Sequence, residues 1–102
     1  MTTQIEVHVK FLSPKEGGRK ILPVLRGYRP HFIVPPNKEM LGVEFTYGPI
    51  GYQPDEEIKA RVICLYEELG ISYEALIVGV FFEIVEGRKV VGTGTVVAYN
   101  KG

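Results

Sequence analysis

The chain is poor in residues that staple, span or catalyse. Its 102 residues include one cysteine, Cys64, which cannot close an intrachain disulfide and favours a reducing interior, read here as the cytoplasm. No apolar run approaches bilayer-spanning length, and the opening Met-Thr-Thr-Gln-Ile-Glu lacks a basic stretch followed by an apolar one. Neither export nor membrane insertion is expected. His8, His31 and Cys64 are the only soft metal ligands in the sequence, and they lack the short-spaced pairing that marks zinc sites. Cys64 reads as a small apolar strand residue and His8, between Glu6 and Lys10, as a solvated one. No metal and no cofactor are expected. A Gly-x-x-x-x-Gly-Lys-Ser/Thr phosphate loop is missing, as is any set of nucleophile and base at a telling spacing. The chain is therefore not expected to be an enzyme or to bind a nucleotide.

Net charge is also absent, although it is unevenly spread. Residues 1 to 38 carry seven Lys or Arg against two acids, and residues 39 to 102 carry five against ten. The first part has a surplus of five positive charges and the second of five negative ones, which folding can mix into an ordinary solvated surface.

What is present is an all-β pattern. In Gln4 to Leu12, Ile5, Val7, Val9 and Phe11 alternate with Glu6, His8 and Lys10, the mark of a half-buried strand. Ser13-Pro14 ends it. The stretch from Glu16 to Phe32 follows as a loop, because Gly17-Gly18 permits positive φ while Pro23 and Pro30 remove amide donors. It carries Arg19, Lys20, Arg26 and Arg29 with Tyr28 and Phe32, and so can serve as a clasp or as a binding surface. A second strand is expected over Tyr28 to Val34, with Pro30 at an edge, a bulge or the strand start.

Leu41 to Tyr47 reads as a third strand with Val43, Phe45 and Tyr47 on one side. Glu57 to Tyr66 reads as a fourth, with Ile58, Ala60, Val62, Cys64 and Tyr66 opposed to Lys59 and Arg61. A helix running through Glu67-Glu68-Leu69 competes with the end of that strand, and residues 71 to 79 fit either a helical turn or a buried strand. Val80 to Val85, a reversal at Glu86-Gly87, and Lys89 to Asn100 make a terminal hairpin. Gly92 and Gly94 share one side of its last strand, where missing side chains let another strand come close. The 102 residues thus form one domain, a six-stranded antiparallel closed β-barrel, with Val7, Val9, Phe82 and Ile84 pointing inward.

Two blocks resemble a known family. Glu16-Gly17-Gly18-Arg19, then Pro23, then Gly27-Tyr28-Arg29-Pro30 with Phe32, are similar to the C-terminal domain of bacterial elongation factor Tu. Gly79, Phe82, Ile84, Glu86-Gly87 and Val91-Gly92-x-Gly94 leading into Val96-Val97 resemble that domain's closing hairpin. The resemblance covers nearly the whole chain and implies a stand-alone six-stranded barrel of the kind that contacts the T-stem of aminoacyl-tRNA. By position, His31, Glu86 and Gly87 fall on the family's tRNA contacts. Two departures stand out. Ile33-Val34-Pro35-Pro36-Asn37-Lys38 replaces an arginine and a threonine-rich loop, and Ile77-Val78 replaces an acidic pair.

Arg19, Arg26 and Arg29 are candidate contacts for an anionic partner, since a guanidinium fork can bind two oxygens at once; bonding to loop carbonyls is the alternative for Arg19 and Arg29. Ile77 and Val78 are the candidate protein interface. Tyr28 reads as a buried aromatic whose hydroxyl finds a backbone partner. The expected function is a non-catalytic binding module for a protein, with translation components as the class the resemblance implies. The alternative is an RNA-binding module for the tRNA T-stem.

Overall fold

Strand β1, Thr3–Phe11, shows the alternation its sequence demands: Ile5, Val7, Val9 and Phe11 are buried, and Glu6 and Lys10 are exposed. In the computed structural model, which describes residues 3–101, it is followed by a 3-10 turn, Pro14–Glu16, and then by β2, His31–Ile33, and β3, Leu41–Tyr47. Strand β4, Ile58–Cys64, a second 3-10 turn, Glu67–Leu69, and the hairpin of β5, Phe81–Glu86, and β6, Lys89–Lys101, complete the chain.

The strands close into an antiparallel barrel in the order β1-β4-β3-β2-β5-β6, with β6 paired back onto β1. Val7 pairs with Val96 and Val9 with Gly94 across that seam. A methyl group on Gly94 would lie 2.6 Å from the His8 carbonyl oxygen and 2.6 Å from the Phe82 ring. The glycines therefore let β6 lie against β1 with an aromatic ring beneath, as their spacing predicts. Val7, Val9, Phe82 and Ile84 are all at most 1% exposed. Phe32 and Phe82 stack at 4.0 Å between ring centroids, and Phe11, Tyr28, Phe45 and Tyr52 form a tilted aromatic group around Phe11. Among the described residues no helix is long and apolar enough to cross a membrane.

Several local expectations are corrected. The second strand spans His31–Ile33, shorter than Tyr28 to Val34, although Phe45 N–H still donates to the Tyr28 carbonyl (2.8 Å) and Val43 N–H to that of Pro30 (3.2 Å). Pro30 thus sits just before the strand start, where its missing donor costs nothing. Tyr47 does not share the inward side with Val43 and Phe45. The register shifts between Phe45 and Tyr47, which turns Tyr47 out to 59% exposure. Strand β4 ends at Cys64 and leaves Tyr66 exposed, because the Glu67–Leu69 turn has begun. Residues 71 to 79, open in the sequence between a helical turn and a buried strand, form turns and bury Tyr73 and Leu76. The hairpin reverses through Gly87 and Arg88, with Glu86 still in β5.

Candidate functional site

The Glu16–Phe32 loop is built to lie on the barrel. Gly17 takes φ +93° to end the 3-10 turn, while Gly18 is required by proximity: a methyl group there would overlap the Leu12 carbonyl oxygen at 2.0 Å. Further on, Leu25 is buried, Gly27 N–H donates to the Phe45 carbonyl at 2.8 Å, and the Tyr52 hydroxyl donates to that of Pro23 at 2.5 Å. The loop is tied down by backbone and side chain alike.

Its polar centre is a clasp on the hairpin tip. Arg19 Nη1 donates to Glu86 Oε2 at 2.5 Å, the Tyr28 hydroxyl donates to the same oxygen, and Arg19 Nε donates to the Ile21 carbonyl at 2.9 Å. The guanidinium lies 5.6 Å from the Tyr28 ring centroid, within cation–π range. Lys89 Nζ adds a bond to the Gly18 carbonyl at 3.2 Å. Burial works against the charge on Arg19, but Glu86 and Tyr28 more than offset it and hold the guanidinium above its ordinary pKa. Burial, and then donation to Glu86, push the Tyr28 phenol far up, so it stays protonated as a donor.

The structure therefore brings together two residues that the sequence offered to an anionic partner or tRNA, and gives the Tyr28 hydroxyl a carboxylate instead of the expected backbone partner. Arg19, a candidate for an external anion, and Glu86, a candidate tRNA contact, bind each other and Tyr28. Arg29 is engaged too: its Nε and Nη2 both lie 2.9 Å from Glu44 Oε1. Arg26 is exposed and, among the described residues, makes no ion pair within 4.0 Å. His31 is half-buried on β2 opposite Gly42 and Val85, and Gly87 is exposed in the turn with φ +61°.

Ile77 and Val78 lie elsewhere. Gly79 N–H donates to the Val96 carbonyl and Val96 N–H to that of Val80, so their turn sits at the base of the β5–β6 hairpin. Glu86 is at its tip, the length of β5 away, roughly 17 Å at about 3.4 Å per residue. Both Ile77 and Val78 are 59% exposed. Phe81, 49% exposed, follows at the start of β5, whereas Val97 on β6 lines a cleft with Glu6, His8 and Lys59, and Tyr99 one with Thr3, Glu67 and Tyr73. Sequence reasoning singled out the pair but not Phe81. The signal was present, since Phe82 inward implies Phe81 outward.

Another pairing without a sequence signal is Arg61 over the Tyr47 ring at 5.5 Å, with Arg61 Nε buried and lacking a hydrogen-bond partner. The register shift that turned Tyr47 outward created it. Cys64 is buried, and burial pushes its thiol up to about 12, an unreactive form at neutral pH. His8 Nδ1 lies 4.0 Å from a Glu57 carboxylate oxygen. Among the described residues no group of three or more His, Cys, Asp or Glu side chains could hold a metal ion. No protein-family model matches the chain.

Proposed function

We propose that this barrel is a non-catalytic binding module that docks a protein partner on the surface around Ile77 and Val78. The observation that carries the reading is the adjacent aliphatic pair Ile77 and Val78, each 59% exposed in the turn at the base of the hairpin, with Phe81, 49% exposed, opening β5 just beyond them. Exposed apolar area of this kind is costly to leave in water and characterises association sites. The likeness of two sequence blocks to the C-terminal domain of elongation factor Tu supports a partner among translation components, and the single buried cysteine supports a cytoplasmic setting. The reading needs no nucleotide, cofactor or metal.

Contact with the tRNA T-stem is the alternative. It draws on His31, Glu86 and Gly87, and on phosphate neutralisation by Arg19, Arg26 and Arg29. It is the weaker reading because Glu86 and Arg19 satisfy each other and Arg29 is held by Glu44. Arg19 or Arg29 would have to leave a carboxylate before it could grip a phosphate, which leaves only Arg26 unpaired among the three.

The two readings differ in salt dependence. Immobilised barrel and a Val78→Asp variant are exposed to RNase-treated lysate, and both are titrated with labelled aminoacyl-tRNA at low and moderate salt. Expected are proteins retained by the parent, unaffected or favoured by salt, and lost with Val78→Asp, where a charge enters an apolar contact. Micromolar tRNA binding that falls steeply with salt and disappears in an Arg26→Ala, Arg29→Ala double variant would establish the RNA reading instead.

A further inference from the structure

The long loop after β1 and the loop after β3 meet at the hairpin-tip end of the barrel, where Arg19 holds Glu86. Two contacts tie them together. The Tyr52 hydroxyl donates to the Pro23 carbonyl at 2.5 Å, and a methyl group on Gly48 would lie 2.4 Å from Leu25 Cδ1. Ile50 is midway between Gly48 and Tyr52, and Val24 stands between Pro23 and Leu25, so the two ties set the backbones of Ile50 and Val24 alongside each other. Ile50 is 98% exposed, Val24 77%, and Ile21, three residues before Val24, 78%. A side chain left open to this degree has no wall beside it. These aliphatic residues are protrusions, not the rim of a pocket.

Cations accompany them. Lys20 directly precedes Ile21 and Arg26 lies two residues past Val24; both are exposed, and among the described residues neither has an ion pair within 4.0 Å. Arg88, exposed in the turn between β5 and β6, adds a third at the same end. The carboxylates there are neutralised or set apart. Glu86 is taken by Arg19 and Tyr28. Glu16 and Asp55 share a hydrogen bond where Asp55 N–H donates to the Phe11 carbonyl at the end of β1. Arg26 is anchored on β3 instead, since the neighbouring Gly27 N–H donates to the Phe45 carbonyl, and β4 separates β3 from β1 in the sheet.

We propose that this end of the barrel seats on an anionic lipid bilayer, with Ile50, Val24 and Ile21 entering the boundary between headgroups and acyl chains while Lys20, Arg26 and Arg88 lie against the headgroups. Protruding aliphatic side chains are costly in water and need a partner that deforms around them, which a bilayer interface does; unpaired cations on the same loops complement its negative surface. A nucleic acid would satisfy the cations but offers no apolar phase to Ile50. Attachment is peripheral and reversible, carried by a few side chains on loops rather than by a spanning segment. Ile77 and Val78 are at the opposite end of the hairpin, so a barrel seated in this way keeps them open to a protein partner.

The sequence contains no tryptophan, so Ile50→Trp introduces a single fluorophore that reports its own surroundings. Its emission should shift to the blue with vesicles of phosphatidylcholine and about one-third phosphatidylserine and stay unchanged with phosphatidylcholine alone. Val78→Trp should shift with neither. In co-sedimentation with the anionic vesicles, Ile50→Asp and Val24→Asp should each bind about tenfold or more weakly than the parent. A Lys20→Gln, Arg26→Gln double variant should also lose about tenfold or more, with a smaller salt dependence, and Val78→Asp should bind as the parent does. Every altered side chain is exposed, and circular dichroism melts matching the parent verify folding. Absence of both the blue shift and a preference for anionic vesicles would overturn the proposal and leave protein docking at Ile77 and Val78 standing. Vesicle binding that survives Ile50→Asp and Val24→Asp but is lost with Lys20 and Arg26 would mean attraction by charge alone and would also overturn it. A concentration-dependent dimer in sedimentation velocity, abolished by Ile50→Asp, would assign the protrusions to a second copy of this chain, with the same consequence.

Discussion

Gly94→Ala tests the closure of the barrel at its tightest point. The added methyl group would stand 2.6 Å from the His8 carbonyl oxygen, 2.6 Å from one ring carbon of Phe82 and 2.9 Å from another. The carbonyl belongs to the backbone of β1 and can withdraw only if the β1–β6 seam opens. The ring can tilt, but it is stacked on Phe32 and has little room to do so. Overpacking of this kind costs about 1–3 kcal/mol, while removing a glycine from the unfolded chain returns about 0.4–1 kcal/mol. The net loss should be about 1–2 kcal/mol, a fall in Tm of roughly 4–16 °C for a domain of this size. Urea melts of four proteins separate the two contacts. In a Phe82→Leu background the ring atoms are gone, so Gly94→Ala should cost about 0.5–1 kcal/mol less but remain destabilising because of the His8 carbonyl. Gly51→Ala, with nothing within 4 Å, serves as the control and should be neutral or slightly stabilising. If Gly94→Ala were as well tolerated as Gly51→Ala, β1 and β6 could not pack at this distance and the argument for closure through small residues would fail.

Glu86→Gln removes the charge that Arg19 and Tyr28 share and should lower stability by about 1–2 kcal/mol, at the low end because both charged side chains are about one-third exposed. Hydrogen exchange should rise over residues 19 to 28 and stay unchanged in β1; a uniform rise would mean that the clasp does not act locally. Burial raises the Cys64 thiol and the Tyr52 phenol to about 12, and it raises the Tyr28 phenol as well. The folded chain therefore keeps protons that the unfolded chain releases above about pH 9–10, so stability is full below that range and falls as pH rises through it. Urea midpoints at pH 7, 9 and 10.5 should show this decline, and Cys64→Ala should remove its earliest part. A flat profile to pH 10.5 would contradict the burial of all three groups.

Much of the barrel could be read from the sequence because its signals are local. The alternation in Ile5, Val7, Val9 and Phe11 is visible without its strand partners, and the Gly92, Gly94 spacing on a strand already implies close approach. Where reading failed, distant contacts decide. Tyr47 fits the inward period until a register shift against Arg61 turns it out. The loop from 18 to 30 is held by Phe45, Tyr52 and Glu86, none of them its neighbours in sequence. Arg19 and Glu86 are 67 residues apart, so no spacing rule could show that two candidate contacts were each other's partner. The cleft lined by Thr3, Glu67, Tyr73 and Tyr99 is assembled from β1, the 67–74 stretch and β6, and only the fold puts Thr3 next to Glu67 and Tyr99.

Because the sheet is closed, each of its six strands has a neighbour on both sides. Among the described residues no strand is left as an open edge along which an extended peptide could add as a seventh strand. On the proposed docking reading, contact falls to side chains standing on the outer surface and to the turns at the two ends. Those positions can be exchanged without touching the hydrogen-bonded frame. The barrel is in this respect a socket board: its wiring stays fixed while its outward residues can vary, and on the proposed docking reading Ile77 and Val78 are the ones a partner would meet.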